Sequence, residues 1–417
     1  MNRTHRASIL AIAALVAALS PCTARGQSQD GGVPGQWLTG YAGARSLGMG
    51  GAFVSVADEA LGALWNPAGL QFMDQNQLMF ENVRLFEDTS VNSFGFAVPG
   101  NWLPTFGVSM VALRSGDFER TNEMNDPLGT FKASETAYLF TLARGVGRNL
   151  ALGANVKVVQ QSIENFSAGG FGADLGAIWH ITPTLRAGAT LLNLAGPSVT
   201  LRDTKETWPA VFRGGLSLSV FGGRGLVAAE LDQAGETGST FRTGSEYWVQ
   251  NLMALRVGMD GERVTGGVSY RFAPQYQVDY GVADHPLGLT HRIGIRYGFG
   301  GFFASSKALP ELFSPTGEKA TTQISLNAHT KGEADHWSLE FVDKTQQSVR
   351  RFGGPGLPPP HVEWDGKDEA GMPVADGTYT YRLVVNDKDG RVLTSATRKV
   401  RISTGGPQGD VPVQTQP

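Results

Sequence analysis

The sequence predicts an all-β protein: a 14-stranded transmembrane β-barrel with an inward-folded N-terminal segment, followed by a β-sandwich. Three observations carry that prediction. An apolar leader opens the chain. Period-two alternation then recurs from about residue 76 to residue 300. A more charged stretch with regularly spaced Asp-Gly turns follows.

Composition sets the outer bounds. The 417 residues are 41% hydrophobic but only 18% charged, against a usual ~25% charged. Twenty-two Phe, 9 Tyr and 8 Trp supply enough apolar area to exclude a disordered chain. The 55 glycines follow no Gly-X-Y period, which excludes collagen. A net charge of −3 speaks against a basic nucleic-acid-binding surface, so no nucleic-acid partner is expected. The single cysteine, Cys22, rules out disulfides and cysteine-based zinc sites within the chain.

Residues 1–24 have the layout of a secretory signal peptide. Arg3, His5 and Arg6 precede the apolar run from Ile9 to Leu19, Pro21 breaks it, and Cys22-Thr23-Ala24 places small residues at a cleavage site. The run is shorter than the ~20 residues a membrane helix needs. A lipoprotein reading through Leu19-Ser20-Pro21-Cys22 is disfavoured by the proline next to the cysteine.

The barrel is expected over residues 76–303, with roughly 14 segments of about ten residues. In the last of them Ile293, Ile295, Tyr297 and Phe299 share one face, while Arg292, Gly294 and Arg296 share the other. The segment 149–159 sets Leu150, Leu152, Val156 and Val158 against Asn155 and Lys157. The segment 211–220 sets Phe212, Leu216 and Leu218 against Arg213 and Ser217. The segment 264–272 sets Val264, Val268, Tyr270 and Phe272 against Thr265, Ser269 and Arg271. One face is apolar and the other carries charge and glycine, so Arg271, Arg292, Arg296, Lys157 and Arg213 are expected to face the lumen.

Links after even-numbered segments read as short turns. Those after the third, fifth and seventh read as longer loops, at 115–131, 164–169 and 195–208. Such alternation places the short turns, and both ends of the barrel, in the periplasm. Trp102, Trp179, Trp248, Phe221 and Phe272 lie beside those turns, where an interfacial aromatic girdle belongs.

Residues 37–72 do not alternate. Gly48-Met49-Gly50-Gly51 lacks the preceding strand and the glycine spacing of a nucleotide loop. The run GARSLGMGGAFVSVADEALGALWNPAGL, Gly43–Leu70, resembles the N-terminal segment of the PorV/PorQ family, within the FadL-like outer-membrane barrels. The resemblance implies a 14-stranded barrel whose hatch is residues 37–72 and ends at Asn66, Pro67 and Ala68. Asp58 and Glu59 are candidates to pair with lumen cations such as Arg271, Arg292 or Arg296. Gly294, Tyr297 and Phe299 resemble the C-terminal signal read by the barrel-assembly machinery.

Beyond a linker at 304–311, residues 312–404 carry Asp365-Gly366, Asp376-Gly377 and Asp389-Gly390 turns between alternating runs, the pattern of a sandwich. Phe313-Ser314-Pro315, Val362–Lys367 and Asp376–Tyr379 resemble the FlgD-type Ig-like domain. Asp387–Gly390 reads as a hairpin turn rather than a calcium loop, and Gly353–Pro360 as a Pro/Gly-rich loop. Residues 405–417 read as a disordered tail.

No catalytic set and no metal-ligand set is present in the sequence, so neither an enzyme nor a cofactor is expected. The resemblance implies an outer-membrane protein that takes part in protein export or surface secretion, in contact with outer-membrane lipid and with secretion-system components or secreted proteins. A FadL-like channel for hydrophobic small molecules is the alternative, weakened by the charged lumen. A structural barrel anchoring a periplasmic Ig-like domain is a third reading.

Overall fold

A strand with one apolar and one polar face must lie between two different media, and fourteen such strands here close on one another. The computed structural model describes residues 34–100, 103–147, 149–234, 239–273, 275–285, 287–316 and 320–404. The leader with Cys22, Trp102, Arg148 and the tail 405–417 lie outside the described residues.

The barrel strands are β1 (Asn76–Arg84), β2 (Ser90–Val98), β3 (Thr105–Thr121), β4 (Pro127–Val146), β5 (Leu150–Ile163), β6 (Phe166–His180) and β7 (Leu185–Ala195). A small hairpin, β8 (Ser198–Leu201) and β9 (Thr204–Thr207), follows. The second half is β10 (Val211–Val220), β11 (Gly225–Ala234), β12 (Ser239–Val249), β13 (Met253–Asp260), β14 (Arg263–Ala273), β15 (Tyr276–His285) and β16 (Gly288–Phe299). Each pairs with its neighbour in the circuit. β1 closes antiparallel on β16, with Phe80 opposite Ile295 and Glu81 opposite Gly294. Closure leaves no edge strand.

Two expected loops are shorter than the sequence suggests, and the third, expected at 195–208, stays long between β7 and β10. β3 and β4 continue past the wall as a paired ribbon, with Phe118 opposite Phe131 and their rings 5.4 Å apart, so only the tip around Asn122–Asp126 turns. Both faces of that ribbon meet water, which erases the apolar stripe. β6 begins at Phe166, its start masked by Gly169-Gly170. The 195–208 segment is occupied by the β8–β9 hairpin.

The outer surface is apolar over the whole circuit: Phe94, Phe140, Leu152, Val156, Leu175, Leu216, Leu255, Val268 and Ile295 are all exposed. Soluble monomers rarely expose an apolar belt of that extent. The inner face is inverted: Glu81, Asn155, Lys157, Asp174, Arg213, Glu230, Glu246, Arg256, Asp279 and Arg292 are buried. Lysine placed at the lipid-facing Ile295 should therefore cost about 2–4 kcal/mol at mid-membrane. Arg296→Gln, on the opposite face, should cost far less. Urea refolding into lipid vesicles measures both, and equal losses would refute this register.

At the end carrying the short turns, an aromatic stack covers the last strands. Phe272 lies 5.4 Å from Tyr276, Tyr276 lies 4.9 Å from Tyr297, and Tyr297 lies 5.3 Å from Phe299. Trp179 and Phe221 are exposed at the same end. Trp248 corrects its expected place in this girdle: it shares the inward face with Glu246 and donates from Nε1 to that carboxylate at 3.2 Å. Its neighbour Tyr247 packs against Phe221 instead.

The sandwich begins earlier than expected. In place of a linker at 304–311, β17 (Phe303–Leu309) pairs antiparallel with β19 (Thr322–His329), leaving only residues 300–302 between barrel and sandwich. The barrel itself ends at Phe299. β17 alternates only small residues, Ala304, Ser306 and Ala308, on its inner face, too weak a pattern to register as a strand. β22 (His361–Trp364) completes the first sheet in the order β17-β19-β22.

The second sheet runs β18 (Leu312–Phe313), β25 (Arg398–Ile402), β23 (Gly377–Asp387), β20 (Ala334–Val342), β21 (Ser348–Pro355), with β24 (Val392–Thr394) on β23. β21 takes in Gly353–Pro355, expected as loop. It lies at the sheet edge, where glycine and proline are tolerated. The core between the sheets is aromatic, with Trp364 4.2 Å from Phe341 and 5.5 Å from Tyr379.

Candidate functional site

The segment before β1 fills the barrel. It holds two short helices, α1 (Trp37–Gly40) and α2 (Ala44–Gly48), and two 3-10 turns, Ala60–Leu64 and Pro67–Phe72. Met49, Phe53, Leu61, Leu64, Trp65 and Leu70 are almost wholly buried. This hatch is not held by apolar packing alone, because the wall it meets is polar.

Wall carboxylates accept its backbone N–H groups. Glu81 of β1 accepts from Gly43 at 2.6 Å and from Ala44 at 3.0 Å, and Glu230 of β11 accepts from Phe53 at 2.9 Å and Val54 at 2.8 Å. Backbone donors shielded from water need such partners. Asn66 works in the other direction. Its side-chain oxygen caps Ala68 N at 3.1 Å, and its amide donates to Val54 O at 2.8 Å and to the carbonyls of Ala177 and Ala189 on β6 and β7. Pro67 follows at the first position of the turn, where its missing N–H costs nothing.

Charge locks the centre. Arg45 of α2 donates to Glu246 of β12 at 2.9 and 3.1 Å and to Asp58 at 2.6 Å, and lies 3.3 Å from Glu59. Arg256 of β13 donates to the same Glu246 at 2.6 Å.

The expected pairing with wall cations is corrected for Asp58 and holds for Glu59 toward Arg296 alone. Arg45, within the hatch, is the main partner of both. Of the three cations named, only Arg296 reaches Glu59, at 3.8 Å. Arg271 instead bonds Gln277 Oε1 at 3.1 Å and lies over Trp248, near the short-turn end. Arg292 donates to Gly40 O at 2.8 Å. A charge two residues along a strand is a different height in the lumen, so sharing a face does not bring side chains together.

Lys157 pairs with Asp174 at 2.7 Å and bonds Asn193. Arg213 bonds Asp232 at 3.0 Å and Thr39 at 2.8 Å. Gly294 faces inward beside Glu81, while Tyr297 and Phe299 belong to the aromatic stack outside. Sequence reasoning missed Arg45, Glu81, Glu230, Glu246 and Arg256. The wall members share the inward parity of their strands, which was a usable signal, but their hatch partners were not readable.

Above the hatch, at the end carrying the long β3–β4 ribbon, lies a cavity of about 480 Å³. Trp37, Gly40, Tyr41 and Trp65 form its floor, and Trp208, Leu113 and Val159 its apolar wall. Trp37 meets Trp208 edge-on at 6.4 Å. Lys157, Arg213, Arg242 and Arg292 line it together with Glu135, Asp232 and Asp260, and Arg213 and Arg242 are paired there with Asp232, Arg242 with Asp260 as well. Most of these charges are already paired. Two of them keep a buried atom with no hydrogen-bond partner among the described residues, Asp232 at Oδ1 and Arg292, 3% exposed, at Nε.

These features define a plugged, closed β-barrel of 14 strands with a binding-sized cavity on one side of the plug. No family model matches the chain, and no curated protein matches it. Among solved structures it is similar to the CymD monoaromatic hydrocarbon channel, at 17% identity and a TM-score of 0.48 over 61% of this chain and 96% of that one. It is also similar to the Pseudomonas putida toluene transporter TodX, at 15% and 0.46 over 61% and 96%. A Pseudomonas aeruginosa FadL homologue is similar at 13% and 0.46 over 62% and 98%.

Proposed function

We propose that this protein is an outer-membrane channel for small hydrophobic or amphipathic molecules, with the cavity as its first binding site and the hatch as its gate. The apolar belt supports the membrane placement. Short turns at one end and the long ribbon at the other support an orientation with the sandwich in the periplasm and the cavity facing outside. The observation that carries the reading is the cavity itself. About 480 Å³ suits a small molecule, Trp37 and Trp208 offer apolar faces, and Arg292 offers a buried donor that an acceptor group on a ligand would satisfy. Protein export, implied by the PorV/PorQ resemblance, finds no support in this lumen: the cavity is too small for a folded polypeptide and ends on the hatch.

Binding is measurable by tryptophan quenching in the detergent-solubilised protein, titrated with a series of aromatic and alkyl monocarboxylates and their neutral amides. Trp208→Ala should weaken binding throughout the series by roughly tenfold, as the loss of an aromatic wall predicts. Arg292→Leu should abolish any preference for the acids while leaving the amides nearly unchanged. Quenching that is identical in all three proteins would remove the cavity from consideration.

A further inference from the structure

The hatch is touched from a second side. Its last turn, Pro67–Phe72, leads into β1 through Met73, Asp74 and Gln75 at the short-turn end, and there the sandwich reaches it. Lys331, in the turn between β19 and β20, donates from Nζ to the backbone carbonyl of Gln71 at 2.6 Å. The residue is 6% exposed and its amine lies 5.7 Å from the centre of the Phe302 ring.

Phe302 belongs to the connection between barrel and sandwich, and its N–H donates to Asp74 O at 2.5 Å. His329, at the end of β19, stands 5.1 Å from the Phe302 ring and meets Gly301 O through Nδ1 at 2.8 Å. Gly301, at φ +78°, is pressed so closely on Asp74 O that a Cβ there would lie 2.4 Å away. Sandwich and connection therefore grip one short piece of chain, Gln71–Asp74, where the hatch leaves the lumen. On the hatch side Gln71 is itself engaged with the wall, accepting from Thr105 of β3 at 3.2 Å.

We propose that the C-terminal sandwich is a latch on the hatch: Lys331 holds the Gln71 carbonyl, and the hatch opens only when that contact is released. The chemistry suits a contact that breaks. Lys331 has given up water for a neutral carbonyl rather than for a close carboxylate. Burial pulls its amine down to about 8, nearby Arg391 adds to this, and Asp74 opposes it. The attraction that remains is modest, and a pull on the sandwich from its own side would act directly on residue 71. The latch extends the gating role of the hatch, but its test reads hatch motion without any ligand, so it stands or falls apart from the cavity.

Ser55, 1% exposed within the hatch, is replaced by cysteine in the full-length protein carrying Cys22→Ser, which removes the single native cysteine. Its labelling by a small thiol reagent in detergent micelles reports how often the hatch opens. Lys331→Met should raise the labelling rate roughly tenfold, the scale of one hydrogen bond from a charged donor. Lys331→Arg, which keeps a donor, should restore most of the slow rate. Lys388→Met, on an exposed lysine that pairs with Glu333 in the same region, should leave the rate unchanged. Near-UV circular dichroism of the Trp364 cluster confirms that the sandwich stays folded in each variant. A Lys331→Met rate within twofold of the parent overturns the latch. So does an equal acceleration by Lys388→Met, or labelling of Lys331→Arg as fast as that of Lys331→Met.

Discussion

Gly258→Val should unseat the hatch while leaving the barrel closed. Gly258 on β13 and Gly244 on β12 face each other across the sheet on the lumen side. A Cβ at Gly258 would fall 2.2 Å from Gly50 N and 2.3 Å from Met49 C, and one at Gly244 would fall 2.2 Å from Met49 O. Both sides of this contact are backbone. No rotamer change relieves it, so either the wall or the hatch must move. The wall is tied by two ladders of hydrogen bonds, whereas the hatch is tied by separate contacts. The hatch gives way. Overpacking in cores typically costs about 1–3 kcal/mol and more where nothing can flex.

The readout is trypsin cleavage at Arg45, which is 8% exposed while the hatch is seated. Gly258→Val should speed cleavage at least tenfold, by roughly the free energy of the clash, and should raise single-channel conductance. Gly214→Val on β10 is the control, because its Cβ would meet only the Phe212 ring at 3.5 Å on the lipid side. If the two valine variants are cleaved equally fast, backbone contact between wall and hatch is not what seats it.

The barrel was legible because lipid outside and polar groups inside impose the same two-residue period on every wall segment. Where that contrast ends, so does legibility. The β3–β4 ribbon past Leu113 meets water on both faces and reads as loop. β17 buries only Ala and Ser and reads as linker. Trp248 lies beside a turn as a girdle residue would, but its parity with Glu246 decides the matter and sends it inward.

Within the site, Asn66 was legible only through the resemblance that marks Asn66, Pro67 and Ala68; its capping of Ala68 N emerges from the structure. The partnership of Arg45 with Glu246 was out of reach. The residues are 201 positions apart, and their meeting depends on strand tilt and on how far α2 descends into the lumen. The glycines of the inner face were visible as a pattern, but their purpose appears only when Met49 and Gly50 are seen lying against them.

Loss of Glu246 should be the costliest single change in the polar lumen. Its carboxylate is 5% exposed and receives Arg45 from the hatch and Arg256 from the wall, with Trp248 Nε1 as a third donor. Glu246→Gln keeps the shape and removes the charge. Two guanidiniums then remain buried near one another, Arg45 with Asp58 and Glu59, Arg256 with Asp279 at 3.5 Å. Breaking a buried ion pair from one side costs about 3–5 kcal/mol, and here two desolvated guanidiniums lose the carboxylate they share. Only Arg45 can escape, since it rides on the hatch. The penalty therefore appears as hatch release, a rise of roughly a hundredfold or more in the open fraction at 1.4 kcal/mol per tenfold. Cleavage at Arg45 cannot report on a variant lacking that arginine, so Ser55→Cys labelling is used for the full cycle of Arg45→Met, Glu246→Gln and both together. The double variant should lose less than the sum of the singles by more than about 1 kcal/mol, because removing Arg45 also removes the stranded charge. Strict additivity of the two changes would mean that Arg45 and Glu246 do not hold the hatch through each other.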